Sequence, residues 1–458
     1  MANKETLQDK VKGLYGRIGE EFYLCRDDFE ANGVRYNSAL LLGTLTELNK
    51  GNMLLFGEYG GGKTTSAEYL NAIFNSLPLD LVKRVAIRGN PQLTEEKMIG
   101  RPHYGKMHQG EEDVVWQHFV LIGPKIFDEF NRIPESNQAV VLNGVDRGEW
   151  NYLNDFISTG RQPFFATCNY ADRGNNDLIP PILDRFDVAV EAGFPGVMNA
   201  LHIAQDYHND KDQVLRNPEL TRKALAVLNS GKPYREIQTE LEKLVQEHGS
   251  HLASQGFPIL TREENDKIES EIRAIALDKD AQQYFSFLVA EMNTSQKYGH
   301  KRSIDNPQGD KSSGLYLNTT FTGSGSRREE KSLVRYAKSL AWLQGEEQVN
   351  LDHISQIAPY VLWHRIRWTD ETQQIFRDHD RKDSLDLHIA KTLLQEGTLE
   401  IPGVKKRFAE SQANYQRVMN LAGHEKIEQA VKEARDFYAD GKGHPIFKDI
   451  IKDLEVGG

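Results

Sequence analysis

The stretch Gly57-Glu58-Tyr59-Gly60-Gly61-Gly62-Lys63-Thr64 decides how the rest of the sequence is interpreted. It has the spacing G-x-x-x-x-G-K-[ST], which is typical of a loop that binds phosphate groups. The apolar run Asn52–Phe56 before it predicts a buried strand, and the apolar spacing after it predicts a helix that stops at Pro78. Glycines let successive backbone N–H groups approach phosphate oxygens, and a helix N-terminus adds partial positive charge. The pattern therefore predicts a nucleotide-binding loop between a strand and a helix.

Each part of this loop has an expected task. The Lys63 ammonium can reach the β- and γ-phosphates, and the Thr64 hydroxyl can ligate Mg²⁺. A carboxylate at the end of a second apolar strand, Asp128, would hold the hydration shell of the metal. The residues expected to bind the nucleotide are Gly57, Gly60, Gly61, Gly62, Lys63, Thr64, Thr65 and Asp128, with Thr64 and Asp128 also expected to bind the metal.

Two further polar residues follow apolar strands. Glu129, next to Asp128, could polarise an attacking water as a general base, although an acidic pair at a strand end is also common on the surface of α/β proteins. Asn169 ends the run Phe164–Asn169 and could contact the γ-phosphate or orient the water with Glu129. The alternative for Asn169 is a turn-forming residue. Together these residues predict a centre for phosphoryl hydrolysis.

Alternating strands and helices predict an α/β fold with a mostly parallel sheet covered on both faces. The remaining strand candidates are Arg84–Arg88, Lys125–Asp128, Phe164–Cys168 and Asp187–Val190. From about Glu191 the sequence becomes polar with helical spacing, including an amphipathic helix over Glu329–Gln344. Gly299–Arg328 is predicted as a long loop or hairpin. We therefore predict an α/β nucleotide-binding domain at 1–192, a helical domain with insertions at 193–369 and a helical C-terminal extension at 370–458.

Several motifs resemble those of the MoxR-type AAA+ ATPases. Phe127-Asp128-Glu129-Phe130-Asn131-Arg132 is similar to their Walker B signature D-E-[IF]-N-R, and Leu183-Asp184-Arg185-Phe186-Asp187 contains their L-D-R-F motif. Ser324-Gly325-Ser326-Arg327-Arg328 resembles their G-x-S-x-R second sensor, with Ser in place of the first Gly. Val349–Arg365 resembles the end of their lid domain. The motifs occur in the family's order over roughly 50–365.

The resemblance implies a P-loop AAA+ module followed by an α-helical lid, which hydrolyses ATP with Mg²⁺ in a ring, usually a hexamer. The choice of ATP over GTP rests on this resemblance, because Phe22–Asp27 lacks the glycine of the family's adenine-binding motif. Arg185 would be an arginine finger acting in the neighbouring subunit's site, the alternative being an ion pair with Asp184 or Asp187. The residues for which catalytic roles are expected are Glu129, Asn169, Arg185 and Arg328, with Arg327 left open as the second sensor in place of Arg328.

The first functional hypothesis is a protein-remodelling chaperone that matures or disassembles client complexes, working with a von Willebrand factor A-domain protein as members of this family commonly do. The alternative is a nucleic-acid translocating AAA+ motor, of helicase or restriction type. A net charge of −11 and the lack of an appended nucleic-acid-binding motif count against nucleic acid as a partner. A pseudo-ATPase scaffold is a third possibility, which the intact motif residues disfavour. The resemblance also suggests pore-facing elements at Arg101–His108 and Gly148–Leu153, with ordinary packing of Tyr104 and Trp150 as the alternative.

Composition limits the other classes of protein. The two cysteines, Cys25 and Cys168, cannot form a disulfide framework or a cysteine-rich zinc site, which fits a reducing compartment. The residues after Met1 carry no apolar core of a signal peptide, and the chain has no apolar run of about 18 residues. We therefore expect a cytoplasmic protein without a membrane span.

Overall fold

The computed structural model describes residues 6–58, 60–108, 110, 113–170, 178–206, 211–295, 299–302, 305, 316–398, 401–438 and 443–457. The chain forms two compact units. The first comprises Met1–Ala274 with Trp342–Glu346, and the second comprises Ile275–Ala341 with Glu347–Gly458. These units do not coincide with the segments 1–192, 193–369 and 370–458, which stay a prediction about the domains. Within the described ranges, no helix combines the length and the apolarity needed to cross a membrane.

The first unit contains strands and helices that alternate along the chain. Its strands are β1 (Phe29–Ala31), β2 (Val34–Tyr36), β3 (Asn52–Gly57), β4 (Ile87–Arg88), β5 (Gly100–Pro102), β6 (Val114–Trp116), β7 (Lys125–Asp128), β8 (Glu149–Tyr152), β9 (Asp155–Ser158), β10 (Phe164–Asn169) and β11 (Val188–Glu191). Its helices are α1 (Leu7–Arg17), α2 (Ser38–Asn49), α3 (Lys63–Phe74), α4 (Leu79–Val85), α5 (Glu95–Met98), α6 (Tyr104–Met107), α7 (His118–Leu121), α8 (Glu135–Arg147), α9 (Pro180–Leu183), α10 (Val197–Asp206), α11 (Pro218–Leu228), α12 (Tyr234–Ser254) and α13 (Arg262–Ala274).

Five strands of this unit form the predicted parallel sheet, in the order β11-β3-β10-β7-β4. Strand β3 lies between β11 and β10. Phe164 of β10 pairs with Asn52, and Val188 of β11 pairs with Met53. Helices follow the strands, so the α/β fold class is confirmed. The carboxyl ends of β3, β7 and β10 meet at one edge of the sheet, where an α/β protein binds its ligand.

The predicted strand at Arg84–Arg88 is wrong in its first half. Helix α4 continues through Val85, and the strand is only Ile87–Arg88. Helix α4 has Asp80 in its first turn and Lys83 and Arg84 in its last turn. This charge distribution complements the helix dipole, and so it favours helix over strand at residue 84.

Two of the antiparallel strand pairs in the first unit carry exposed apolar side chains. Strand β5 pairs with β6, and strand β8 pairs with β9. Large apolar side chains are exposed on both: Tyr104 and Met107 between β5 and β6, and Leu153 and Phe156 at the turn of β8–β9. Trp150 of β8 is buried and packs edge-on against Phe119 at 5.9 Å between ring centroids. Trp150 therefore has the packing role that the sequence left open, whereas Tyr104 does not.

The second unit is mainly helical. Its helices are α14 (Lys279–Asn293), α15 (Arg327–Gln344), α16 (Leu351–Leu362), α17 (Asp370–Arg377), α18 (Leu385–Leu394), α19 (Val404–Gly423), α20 (Ile427–Tyr438) and α21 (Pro445–Gly457), and the last three residues of α15 fall in the first unit. Its strands are β12 (Ala276–Leu277), β13 (Thr294–Ser295), β14 (Gly299–His300), β15 (Phe321–Thr322), β16 (Gln348–Val349) and β17 (Arg367–Trp368).

The helix expected at Glu329–Gln344 is confirmed as α15, which begins two residues earlier. Within 299–328, the structure describes β14, β15 and a short 3₁₀ turn at Leu317–Thr319. Residues 303–304 and 306–315 of that predicted loop lie outside the described residues. The helical nature expected of the C-terminal extension is confirmed by α17 to α21.

Candidate nucleotide-binding site

The glycine-rich loop connects the end of β3 to the start of α3. Gly62 has a φ of +75° and stands directly before the first residue of α3. Gly57 is sterically confined, since a Cβ atom there would lie 2.9 Å from the carbonyl oxygen of Ala192. A residue with a side chain would strain the loop at both positions. Tyr59 of the motif lies outside the described residues.

Lys63 is buried at the first position of α3. Its Nζ donates to the carbonyl oxygens of Gly57 at 2.9 Å and Glu58 at 2.7 Å. Burial lowers the pKa of Lys63, while the negative charge of Asp128 acts in the opposite direction. The ammonium group therefore lies inside the curve of the loop, where anionic phosphate oxygens would be stronger acceptors than the two carbonyl groups.

Asp128 lies at the carboxyl end of β7 and faces the start of α3. Its Oδ1 accepts hydrogen bonds from the Thr64 hydroxyl at 2.6 Å and from the Thr167 hydroxyl at 2.6 Å. A hydroxyl and a carboxylate oxygen are hard ligands of the kind Mg²⁺ takes, and Mg²⁺ in nucleotide sites completes its octahedron with water and phosphate oxygens. Thr64 and Asp128 thus fit a Mg²⁺ ion that arrives with a nucleotide. No group of three or more His, Cys, Asp or Glu suited to a metal occurs among the described residues.

Glu129 follows in a strained conformation, with a φ of +55°. Gly89 makes room for this turn, because a Cβ atom at Gly89 would lie 2.2 Å from the Glu129 carbonyl oxygen. The two carboxylate oxygens of Glu129 have different partners: Oε1 accepts from Asn169 Nδ2 at 3.3 Å, and Oε2 lies 3.4 Å from the Arg132 guanidinium. Backbone strain of this kind persists where the surrounding structure holds it, and it clusters at functional sites.

Asn169 ends β10, the strand between β3 and β7. Its side chain points to Glu129, and its carbonyl oxygen accepts from Asn131 Nδ2 at 3.2 Å. Five residues selected from the sequence therefore lie together at the carboxyl edge of the sheet: Lys63, Thr64, Asp128, Glu129 and Asn169. Thr65 lies one residue beyond Thr64 in the first turn of α3, with its side chain exposed.

Arg185 does not belong to this group. Its carbonyl oxygen accepts from Asn52 Nδ2 at 3.0 Å, and Asn52 is the first residue of β3, whereas the phosphate loop begins at the last residue, Gly57. Five steps along a strand separate these ends by about 17 Å. The Arg185 guanidinium donates to Asn143 Oδ1 and lies 4.0 Å from Asp146 Oδ2. Its ion-pair partner is therefore on α8, rather than Asp184 or Asp187.

Arg328 lies in the second unit, in the first turn of α15, and its side chain is exposed. The Ser326 hydroxyl accepts from the Glu329 backbone N–H at 3.1 Å and caps this helix. The neighbouring Arg327 pairs with Glu330 of its own helix at 2.7 Å. Arg327 thus pairs within its own helix. The assignment of Arg328 as the second sensor, with Arg327 as the alternative, stays a prediction.

Three residues of the site were missed in the sequence. Thr167 precedes Asn169 by two positions, so the alternation of strand side chains could have placed it on the same face. Arg132 lies three positions after Glu129 in the sequence and contacts its carboxylate. Tyr23 packs its ring against the loop, since a Cβ atom at Gly62 would lie 3.1 Å from Tyr23 Cε2. Burial raises the pKa of the Tyr23 hydroxyl. Tyr23 falls within 22–27, the stretch compared with the adenine-binding motif.

Comparisons with known proteins agree with this geometry. Residues 52–186 match the family model described as the AAA domain of the dynein-related subfamily, and residues 319–385 match the AAA lid domain. The comparison with curated proteins gives no match. In fold, the chain is similar to the 2.00 Å crystal structure of a candidate ATPase from Cytophaga hutchinsonii, with a TM-score of 0.53 and 17% identity over 81% of this chain and 90% of that one. The predicted ATPase module is confirmed: residues 52–186 form an AAA domain of the dynein-related type, and residues 319–385 form an AAA lid domain.

Proposed function

We propose that this AAA+ ATPase is a MoxR-type ring motor that remodels client proteins. The observation that carries the proposal is the separation of Arg185 from the phosphate loop of its own chain along β3. The side chain of an arginine is far shorter than about 17 Å, so Arg185 cannot contact a nucleotide bound at Lys63 of the same chain. An arginine finger at this position requires a neighbouring subunit, and a repeated head-to-tail contact of this kind forms a ring when its rotation closes.

The residues at the carboxyl edge of the sheet have complementary roles toward ATP, the substrate. Lys63 and the loop N–H groups bind the phosphate oxygens. Thr64 and Asp128 hold Mg²⁺, which when bound neutralises charge on the phosphates. Glu129 accepts the proton of the attacking water, and its bond to Asn169 fixes the orientation of the carboxylate. Arg185 of a neighbour offsets the charge that develops on the transferred phosphoryl group.

Protein clients are favoured over nucleic acid by the β8–β9 hairpin. Its ten residues, Glu149–Ser158, contain two acidic residues and no Lys or Arg. Leu153 and Phe156 at its turn are 53% and 54% exposed. A hairpin that tracks a phosphate backbone needs cations, whereas exposed apolar side chains suit contact with a polypeptide. A homo-hexamer, a von Willebrand factor A-domain partner and a cytoplasmic location complete the proposal.

The test combines substrate class with oligomeric state. Purified protein is assayed for ATP turnover in the presence of a reduced, alkylated polypeptide or of single-stranded DNA, at several salt concentrations. We expect the polypeptide to stimulate turnover and the stimulation to fall in the variant Leu153→Ser/Phe156→Ser. The exposed Val34→Ser on β2 serves as the matched control. Stimulation by DNA with a steep salt dependence would favour the nucleic-acid motor instead.

Oligomeric state is measured on the Glu129→Gln variant with ATP by analytical ultracentrifugation. A closed assembly of about six chains supports the proposal. Full-speed turnover by dilute monomers would refute it, because the proposed site is complete only between neighbouring chains.

A further inference from the structure

Arg185 is held at the amino edge of the sheet by three polar residues, which we call the Arg185 polar cluster: Asn52, Asn143 and Asp146. Asn52 begins β3, and the other two lie on α8. This polar cluster connects β3, which leads to the phosphate loop, with α8, which follows Glu129 in the sequence. No sequence pattern indicated this connection.

Asn52 fixes the backbone at Arg185. It is 1% exposed, and its side-chain amide donates to Asp146 Oδ1 at 2.9 Å and to the Arg185 carbonyl oxygen at 3.0 Å. Its backbone N–H donates to Asp187 Oδ2 at 2.9 Å. Both side-chain partners are acceptors, so this position requires a group with two donors, which an amide supplies and a carboxylate does not.

Asn143 fixes the guanidinium. Its Oδ1 accepts from one terminal nitrogen of Arg185, and the Asp146 carboxylate lies 4.0 Å from the same nitrogen. Among the described residues, Nε and the other terminal nitrogen of Arg185 have no hydrogen-bond partner. The guanidinium is a rigid planar fork, so holding one nitrogen orients the remaining edge. That edge, with its two parallel N–H groups, is the one that binds a phosphoryl group in a bidentate manner.

We propose that Asn143 is a positioning residue for Arg185 in the hydrolysis of a neighbouring subunit's ATP. This inference rests on the proposed finger role of Arg185. Asn143 restricts a side chain that otherwise samples many rotamers, and therefore raises the fraction of Arg185 in the orientation that suits the neighbour's phosphoryl group. Asn143 itself contacts neither ATP nor the reacting atoms, and its chain's own phosphate loop does not depend on it.

The test compares turnover and ATP affinity in the full-length protein. Asn143→Ala should lower kcat about tenfold with unchanged ATP affinity, because only the orientation of the finger is lost. Asn143→Asp keeps an acceptor at the same place and should stay within about twofold of wild type. Ser136→Ala, at an exposed position of the same helix, is the control and should have no effect.

A double-mutant cycle separates positioning from a structural role. In the Arg185→Ala background, Asn143→Ala should cause no further loss, since the side chain that it positions is absent. Mixing Asn143→Ala with Lys63→Ala subunits should restore turnover, because the second variant supplies an intact finger. An additional loss in the double mutant, or equal losses in Asn143→Ala and Asn143→Asp, would overturn the inference.

The single variants distinguish failure of the inference from failure of the proposed function. If Arg185→Ala retains full turnover, both the finger role and the proposed function fail. If Arg185→Ala is inactive and Asn143→Ala has normal turnover, only the positioning role of Asn143 fails.

Discussion

The hydroxyl of Thr167 lies 2.6 Å from Oδ1 of Asp128. The same hydroxyl oxygen accepts from the backbone N–H of the next residue, Glu129, at 2.9 Å. One threonine on β10 therefore holds both members of the acidic pair at the end of β7. It fixes the side chain of the residue proposed to hold Mg²⁺ and the strained backbone of the residue proposed as general base.

Thr167→Val should impair catalysis without unfolding the protein. Valine has a similar shape but supplies neither hydrogen bond, so Asp128 loses a donor and the half-buried Glu129 N–H loses its acceptor. We expect kcat to fall about tenfold or more, and the Mg²⁺ concentration needed for half-maximal turnover to rise. Steady-state ATP turnover across a Mg²⁺ titration measures both, with Thr167→Ser as the control that keeps the hydroxyl. Wild-type turnover in Thr167→Val would show that this hydroxyl has no part in the site.

Glu129→Gln should separate binding from hydrolysis. Glutamine keeps the acceptor oxygen for Asn169 but cannot take a proton from water. We expect ATP to bind with unchanged affinity and turnover to fall at least ~10²-fold, the usual contribution of a positioned base. Calorimetry and a single-turnover assay give the two quantities. Turnover near the wild-type rate would assign the base to another group.

Lys63→Ala should abolish nucleotide binding. The ammonium group is buried within the loop and bonded to Gly57 and Glu58. Its removal leaves those carbonyl oxygens without their donor and takes away the charge that attracts the phosphates. Titration calorimetry with ATP and Mg²⁺ is the measurement. Lys83→Ala is the control, since that lysine is on α4 and pairs at 3.8 Å with Glu68. Tight ATP binding by Lys63→Ala would contradict the assignment of the loop.

The sequence was informative where local pattern and chemistry agree. Apolar strands lead directly into Gly57–Thr64, Asp128 and Asn169. Because parallel strands bring their carboxyl ends to one edge of the sheet, this part of the site could be predicted. Alternation places Thr167 on the same strand face as Asn169, but it does not show that Thr167 contacts the acidic pair, because a threonine inside a strand is common and its partners come from another strand. The Arg185 polar cluster brings Arg185 together with Asn52 and Asn143, which are far from it in the sequence, and only the fold places them in contact. Strand β4 was misplaced because the charges of α4 extend that helix.

The second unit contains a buried ionic cluster that local pattern did not predict. Glu291, at the end of α14, is fully buried and accepts from Arg407 Nε at 2.7 Å and from the Leu317 N–H at 3.0 Å. His444 accepts from the Ile446 N–H at its Nδ1, so its Nε2 carries the hydrogen and donates to Glu291 at 3.0 Å. The cluster therefore fastens α19 and the segment before α21 to α14.

This cluster should make the second unit sensitive to acid. Burial alone would raise the pKa of Glu291, but Arg407 and His444 outweigh it and lower the pKa from 4.5 to about 2. The stabilisation from this carboxylate is thus complete above pH 4.5 and is lost as the pH falls toward 2. Burial also lowers the pKa of His444 from 6.5, so protonation of this residue in the unfolded chain adds to the loss as the pH falls below about 6.5. Chemical denaturation at pH 7, 5 and 3 should show the free energy of unfolding decreasing in that order.

Glu291→Gln tests the origin of that acid sensitivity. The variant leaves the buried Arg407 charge unpaired, and breaking a buried ion pair in this way costs about 3–5 kcal/mol at pH 7. It also removes the titrating carboxylate, so the decline in stability between pH 4.5 and 3 should be smaller than in the wild type. Glu455→Gln, which breaks the exposed pair with Arg435 in the same unit, is the control and should change stability little. An unaltered pH profile in Glu291→Gln would mean that other groups cause the acid sensitivity.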